Sequence, residues 1–336
     1  MPGMAGAGAT AVAAAGATAH ILGERLVPCD LPRPVAEATQ MQPGVPSPTR
    51  LDRRMPNPAG RRRGVLPLPA VLPPAPSPAL RADAAALAAG LTNGEVSVHY
   101  QPVVRLADRQ PVMVEALARW HRPPVAVPPD RFVPLAESTG LARALSVLVA
   151  SRAAAEVAPL WQTLRLRVSV NLPLGQLLAP DLVAWLQRAA RAGGLRPGQL
   201  ALELTETTTV RDRSALRRAL LRLRAGGFRV LLDDFILHDE RDWLLGLPFG
   251  AIKLDRSLVE RLPAEAQARR QVRRLVRRAN AAGQKVIAEG VSDRRLWAVV
   301  RDLGVHHAQG YLIGRPVPAA GLTAWCRDWR GVSVPA

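Results

Sequence analysis

The sequence predicts an α/β protein, a modified (β/α)8 barrel (TIM-barrel type) with one antiparallel strand at its start, and three observations carry that prediction. From about residue 80 onward, strand-like apolar runs alternate with helical patterns, the order that parallel strands with crossover helices require. Glycines stand between a helix and the next strand, as Gly193-Gly194, Gly226-Gly227 and Gly283, where C-terminal caps belong. Polar residues, most of them acids, close one apolar run after another: Glu115, Asn171, Glu203, Asp233 with Asp234, Lys253 and Glu289. In a parallel barrel these strand tips converge on one face, and that face holds the active site.

The elements follow in order. Residues 1–79 pass from Ala/Gly repeats into a Pro/Arg-rich stretch with Arg61-Arg62-Arg63 and Pro67, Pro69, Pro73, Pro74, Pro76 and Pro78. Proline at that density donates to no ladder and little there can pack, so a disordered N-terminal tail is expected. Residues 80–330 are expected to form the barrel. Leu80–Leu91 carries a helical pattern. Val96–Val104 and Val112–Arg119 flank Asp108-Arg109-Gln110, a turn short enough to make the first two strands antiparallel. Helical patterns cover Pro129–Ser138 and Leu141–Leu160. A strand over Arg167–Leu172 leads to a helix at Pro180–Ala192, one over Leu200–Thr205 to a helix at Arg211–Ala225, and Arg229–Asp233 to a short helix near Arg241–Leu245. The strands Ala251–Leu254, Lys285–Ala288 and His307–Tyr311 precede helices at Ala264–Ala282, Asp293–Leu303 and Ala319–Arg327.

Composition bounds the function. Of 336 residues 48% are hydrophobic, ample for one large core, and the net charge of +18 comes almost wholly from arginine, since Lys253 and Lys285 are the only lysines. Arginine in place of lysine, with alanine and proline throughout, reads first as genomic composition bias; a dianionic nucleotide partner, rather than a nucleic acid polymer, suits the same charge. Cys29 and Cys326 make no motif, so a reduced cytoplasmic setting is expected. No run approaches the ~18 apolar residues of a transmembrane segment, and residues 4–19 lack the basic start and leucine-rich centre of a signal peptide. His121, His238, His306 and His307 show no ligand spacing, Trp161, Trp185, Trp297, Trp325 and Trp329 fall on apolar helix faces, and Arg269–Arg278 reads as the solvated face of an amphipathic helix.

Hard oxygen ligands in such number at the strand tips read as a divalent-metal site. The ordered set of short motifs is more specific than any one of them: Tyr100-Gln101-Pro102, Glu115-Ala116-Leu117, Phe132-Val133-Pro134-Leu135-Ala136-Glu137, Val170-Asn171-Leu172, Glu203-Leu204-Thr205-Glu206, Asp233-Asp234-Phe235, Lys253-Leu254-Asp255-Arg256-Ser257, Ala288-Glu289-Gly290-Val291 and Gln309-Gly310-Tyr311. Over residues 96–325 this series resembles the EAL domain of bacterial cyclic di-GMP phosphodiesterases.

The resemblance implies two divalent cations, Mg²⁺ or Mn²⁺, with cyclic di-GMP as substrate and linear 5'-pGpG as product. It implies that Glu115, Asn171, Glu203 and Asp233 hold one ion, and that Asp233, Asp234 and Glu289 hold the second. Lys253, Glu289 and Gln309 would be the catalytic group, with Lys253 orienting the attacking water as a charged ammonium. Gln101, Glu115, Leu117 and Arg119 would contact the nucleotide, and Glu206 would steady the loop over the metals. A homodimer or a protein partner is implied as well. Taken singly, Asp233-Asp234 reads more simply as a helix N-cap, Glu203 as the partner of an arginine, and Lys253 as a solvated strand end.

The chain departs from the family after Asp233-Asp234-Phe235. Active members continue with a Gly-Thr/Ala-Gly-Tyr-Ser-Ser type loop, where this chain has Ile236-Leu237-His238-Asp239-Glu240-Arg241-Asp242-Trp243 without glycine. Ser292 stands where glutamate is usual. Two expectations follow: a phosphodiesterase with slow turnover, or a catalytically degenerate EAL module acting as a cyclic di-GMP receptor or protein-interaction regulator.

Overall fold

The computed structural model describes residues 78–122, 124–205, 210, 212–236 and 239–331, with the backbone alone for 239–242 and 331. Nearly all of the 1–79 tail, together with Glu206, Leu237 and His238, lies outside the described residues.

The chain enters through α1 (Pro78–Asn93) and a long hairpin, β1 (Val96–Arg105) and β2 (Pro111–Arg122). Arg109 takes the left-handed backbone of the turn, at φ 59. The pairing is antiparallel and sets Gln101 opposite Glu115. A short β3 (Val125–Val127) hangs on the far end of β2. Six strands then run parallel in turn: β4 (Arg167–Pro173), β5 (Leu200–Thr205), β6 (Arg229–Phe235), β7 (Ala251–Leu254), β8 (Lys285–Ala288) and β9 (His307–Gln309). β2 pairs parallel with β4, and β9 pairs antiparallel with β1, which closes an eight-stranded barrel whose first strand alone runs backwards.

The helices are α2 (Pro129–Ser138), α3 (Ala142–Val157), α4 (Trp161–Leu164), α5 (Leu174–Leu177), α6 (Leu182–Ala192), α7 (Arg213–Ala225), α8 (Arg256–Arg261), α9 (Ala266–Ala281), α10 (Arg294–Asp302) and α11 (Leu322–Gly331). The helix expected over Leu141–Leu160 is interrupted by a 3₁₀ turn at Ala158–Leu160, where Pro159 has no N–H to donate. The short helix expected near Arg241 is 3₁₀, Asp239–Gly246. The last strand stops at Gln309, with Gly310 and Tyr311 in the bend beyond it. The short helices α4, α5 and α8, and the strand β3, are too short for periodicity to reveal. Gly194, Gly227 and Gly283 take the positive φ that the helix ends require. On α9, Ala268, Val272, Leu275, Val276 and Ala279 are buried and Arg270, Arg273, Arg274, Arg277 and Arg278 are exposed, as the solvated-face reading expects. Arg269 is half-buried and donates to the Leu262 and Pro263 carbonyls.

Period-two alternation sorts each strand into an outer and an inner face. Outward residues such as Val168, Val170, Leu202, Leu204, Val230, Leu232 and Val286 join the helices in one large apolar core. Val103, Met113, Ala201, Leu231, Ala251 and Ile287 form a separate apolar layer inside the barrel. Two residues further toward the strand tips, the same faces carry Gln101, Glu115, Glu203, Asp233, Lys253 and Glu289. The apolar layer is thus the floor beneath a polar centre.

The stretch Ala142–Leu164 is 23 residues long and holds an 18-residue window of mean hydropathy 1.3, long and apolar enough by those measures to cross a membrane. The sequence reading found no such run. In the barrel its Leu145, Val149, Ala150, Ala153, Ala154 and Val157 are buried in the outer core, so its apolar face covers strands.

Candidate active site

Strand tips supply the site. Glu115 of β2, Glu203 of β5, Asp233 of β6, Lys253 of β7 and Gln309 of β9 are all buried, and Asn171 of β4 and Glu289 just beyond β8 are partly so. All but Glu203, which is fully buried, line one cavity of about 480 Å³ together with Gln101, Leu117, Arg119 and Asp234.

Consecutive strand residues normally face opposite ways, so Asp233 and Asp234 cannot both reach the centre of a regular strand. Here the β6–β7 pairing shifts register between Leu232 and Phe235, and Asp234 turns into the left-handed region at φ 49. That irregularity brings both carboxylates to one side. Neither acid caps a helix among the described residues. The capping aspartates are Asp212, Asp255 and Asp293, each accepting from backbone N–H groups of the helix that follows.

Lys253 is the electrostatic hub. Its Nζ lies 2.5 Å from Glu203 Oε2, 2.5 Å from Glu289 Oε1, 2.9 Å from Asp233 Oδ1 and 3.4 Å from Glu115 Oε2. Burial opposes its charge, but the four carboxylates outweigh that and hold the ammonium well above the ordinary lysine range. A charged lysine rather than a free amine accords with this, and its 1% exposure overturns the solvated-strand-end reading.

The acids divide by environment. Burial raises Glu115, but the Lys253 charge and hydrogen bonds from Gln309 and Asn171 bring it below the usual carboxylate range. Asn171 Nδ2 donates to Glu115 Oε1 at 2.8 Å and Gln309 Nε2 donates to Glu115 Oε2 at 2.7 Å. Glu203 is pushed well up by burial and by Glu115. Glu289 is raised to about 8, chiefly by burial, and Asp234 is raised by burial and by Asp233. One ammonium therefore does not neutralise five clustered carboxylates.

The residues fit divalent cations. Glu115, Glu203 and Asp233 present ligand atoms within 4.8 Å of one another, and so do Asp233, Asp234 and Glu289. Asp233 belongs to both groups. Asn171 Oδ1 and Glu203 Oε1 are buried acceptors with no hydrogen-bond donor in reach. Buried acceptors are ordinarily satisfied, and a hard cation would satisfy these.

The residues expected to contact the nucleotide, Gln101, Leu117 and Arg119, line the same cavity. Gln309 Nε2 also donates to Gln101 Oε1 at 3.1 Å, while Gln101 Nε2 donates to the Gly314 carbonyl at 3.2 Å. Arg119 donates to the Ala118 carbonyl at 2.9 Å and is half-exposed on the cavity wall. Sequence reasoning assigned no role to Arg256 or Tyr311, which also line the cavity. Tyr311 is 54% exposed, and the Arg315 guanidinium lies 4.1 Å from its ring centroid. The signal for both was their place inside the quoted motifs, Arg256 after Asp255 and Tyr311 after Gly310.

Comparison with known proteins accords with this geometry. The sequence profile of the EAL domain matches residues 84–316. The chain is 37% identical over 238 residues to an uncharacterized signaling protein of Caulobacter vibrioides, an alignment covering 70% of this chain and 29% of that protein. It is 34% identical over 232 residues to a cyclic di-GMP phosphodiesterase of Pseudomonas aeruginosa, covering 68% and 39%. The solved phosphodiesterase PaMucR, in complex with c-di-GMP, superposes with a TM-score of 0.66 at 31% identity, over 73% of this chain and 99% of that one. The chain spans well under half the length of these curated relatives. On the profile match and these identities, the chain belongs to the EAL domain family.

Proposed function

We propose that this protein is a metal-dependent phosphodiesterase that opens cyclic di-GMP to linear 5'-pGpG. The observation that carries the reading is Asp233, shared by two acid groups inside one strand-tip cavity. Glu115, Asn171, Glu203 and Asp233 would hold one Mg²⁺ or Mn²⁺, and Asp233, Asp234 and Glu289 the other. Such a pair of ions stabilises the attacking and leaving oxygens of an in-line displacement and lowers the pKa of a bound water.

The protein's own groups do the rest. Gln101 and Arg119 stand at the rim to receive the nucleotide, with the arginine suited to a phosphate oxygen. Lys253, charged and fixed among acids, orients the attacking water. Gln309 keeps its carboxamide on Glu115 and Gln101 and so couples the metal side of the site to the nucleotide side. A homodimer, with the loop after Asp234 near its interface, accords with the family.

A second reading is a receptor that binds cyclic di-GMP without turnover, alone or with a protein partner. The glycine-free segment Ile236–Trp243 favours it. Incubation of the pure protein with cyclic di-GMP and Mn²⁺ separates the two: accumulation of the linear dinucleotide supports hydrolysis, and saturable binding with no product supports the receptor.

A further inference from the structure

The end of the barrel opposite the acid centre has its own cavity, about 370 Å³, with the inner apolar layer of Met113, Leu231 and Ile287 as its floor. Arg167, Arg229 and Lys285 open the alternate strands β4, β6 and β8, so the barrel's layering directs all three into this mouth. Arg105, at the end of β1, and His307, paired with it at the start of β9, complete the lining. Among the described residues no acid lines it.

Residues at this end of a barrel ordinarily serve stability, and this arrangement works the other way. Arg105 pairs with Asp108 at 2.7 Å. Arg167, Arg229 and Lys285 have no ion pair or side-chain hydrogen bond among the described residues. Partial burial and the Arg229 charge hold Arg167 below the ordinary arginine range. His307 Nδ1 is buried without a partner in the same mouth. Exposed cations gathered around one mouth with an apolar floor make a locally positive potential that favours an anion.

We propose that this mouth binds a small phosphorylated compound, its phosphate held by Arg167, Arg229 and Lys285 and its apolar part lying on the Met113–Leu231–Ile287 layer. The volume lies in the range of small-ligand sites, and arginine forks match phosphate oxygens. This site is separate from the acid centre and does not depend on the phosphodiesterase reading.

Phenyl phosphate, which joins an apolar ring to one phosphate, is the probe, and inorganic phosphate is its comparison. Calorimetric titration of the full chain in EDTA, at an ionic strength of about 0.15 M, keeps metal-borne phosphate binding out of the measurement. The expected result is one phenyl phosphate bound per chain, at least about tenfold more tightly than inorganic phosphate, a step of about 1.4 kcal/mol. The double variant Arg167→Gln/Arg229→Gln should lose this binding by about tenfold or more, with no fall in melting temperature because it relieves repulsion. A control, Arg273→Gln/Arg277→Gln on the exposed face of α9, removes the same charge and should bind as the parent does. Equal losses in the two double variants, or no binding by the parent at millimolar probe, would overturn the proposal. Equal affinity for phenyl phosphate and inorganic phosphate would overturn the apolar half of it.

Discussion

Lys253 Nζ sits 2.5 Å from Glu203 Oε2 with 1% and 0% of the two side chains exposed, so the ion pair at the heart of the barrel has almost no solvent around it. Such pairs are costly to break, because the remaining partner keeps its charge without water or counterion. Replacement by Lys253→Met should destabilise the metal-free protein by about 3–5 kcal/mol. Mn²⁺ should restore part of that, since a cation among the same carboxylates replaces the missing charge. The check is thermal unfolding with and without Mn²⁺, where the variant should gain more than the parent. An equal gain in both proteins would mean that Lys253 does not share its carboxylates with a metal.

Asp233 contributes to both acid groups, and Glu115 and Asp234 to one each. Asp233→Ala should therefore reduce turnover more than Glu115→Ala or Asp234→Ala. Outer-shell groups around a metal already cost about 10–100-fold when removed, and the loss for a shared ligand should exceed that. Product formation from cyclic di-GMP, followed at saturating Mn²⁺, gives the order. Unchanged hydrolysis by the Asp233→Ala protein would rule out the shared-ligand arrangement.

The stability of the barrel should carry an acid-side signature from His307. Burial, with His306 and the cations Arg105, Lys285 and Arg167 nearby, lowers its pKa to about 4. The unfolded imidazole titrates near 6.5. A group whose folded pKa is depressed contributes its stability above the unfolded value, and that contribution is lost as pH falls from about 6.5 toward 4. The full loss approaches 3 kcal/mol, reduced by whatever solvent reaches the ring. Denaturant unfolding at pH 7 and pH 4.5 should show a smaller acid loss in His307→Gln than in the parent. Parallel losses in the two proteins would place the acid sensitivity elsewhere, in the carboxylate cluster for instance.

The legible part of the fold and site follows one periodicity. Glu115, Glu203 and Asp233 each close an apolar run, and alternation alone sends them to a common interior when the strands are parallel. The six strand tips and the antiparallel hairpin are therefore legible in the sequence. Asp234 was less accessible, since its route into the site depends on a register shift and a left-handed backbone that no alternation encodes. Arg256 and Tyr311 reach the cavity from segments beyond the strands, where side-chain direction depends on the turn. The cationic mouth was hidden for another reason. Arg167, Arg229 and Lys285 are single residues in an arginine-rich chain, and only the closed barrel shows that alternate strands bring them together.

The last prediction concerns Ile236–Trp243, which follows the two aspartates directly. Family members with a Gly-Thr-Gly-Tyr-Ser-Ser type loop place glycine where the chain must turn over the metals, and glycine reaches backbone conformations that Ile236 and His238 resist. On the phosphodiesterase reading, the acids should still gather, because strand tips hold them, but an attacking water and a scissile phosphate should be less well aligned. A misplacement of about 1 Å can cost on the order of 10²-fold in rate. Binding should suffer less, since Gln101 and Arg119 belong to the β1–β2 hairpin. Grafting Gly-Thr-Gly-Tyr-Ser-Ser in place of the native segment should raise kcat by about tenfold or more, with KM changing by less. Steady-state kinetics of the parent and the graft, run beside a relative with the intact loop, provide the comparison. If the parent already turns over cyclic di-GMP as fast as that relative, the segment is not a defect, and the strand-tip acids suffice for full activity.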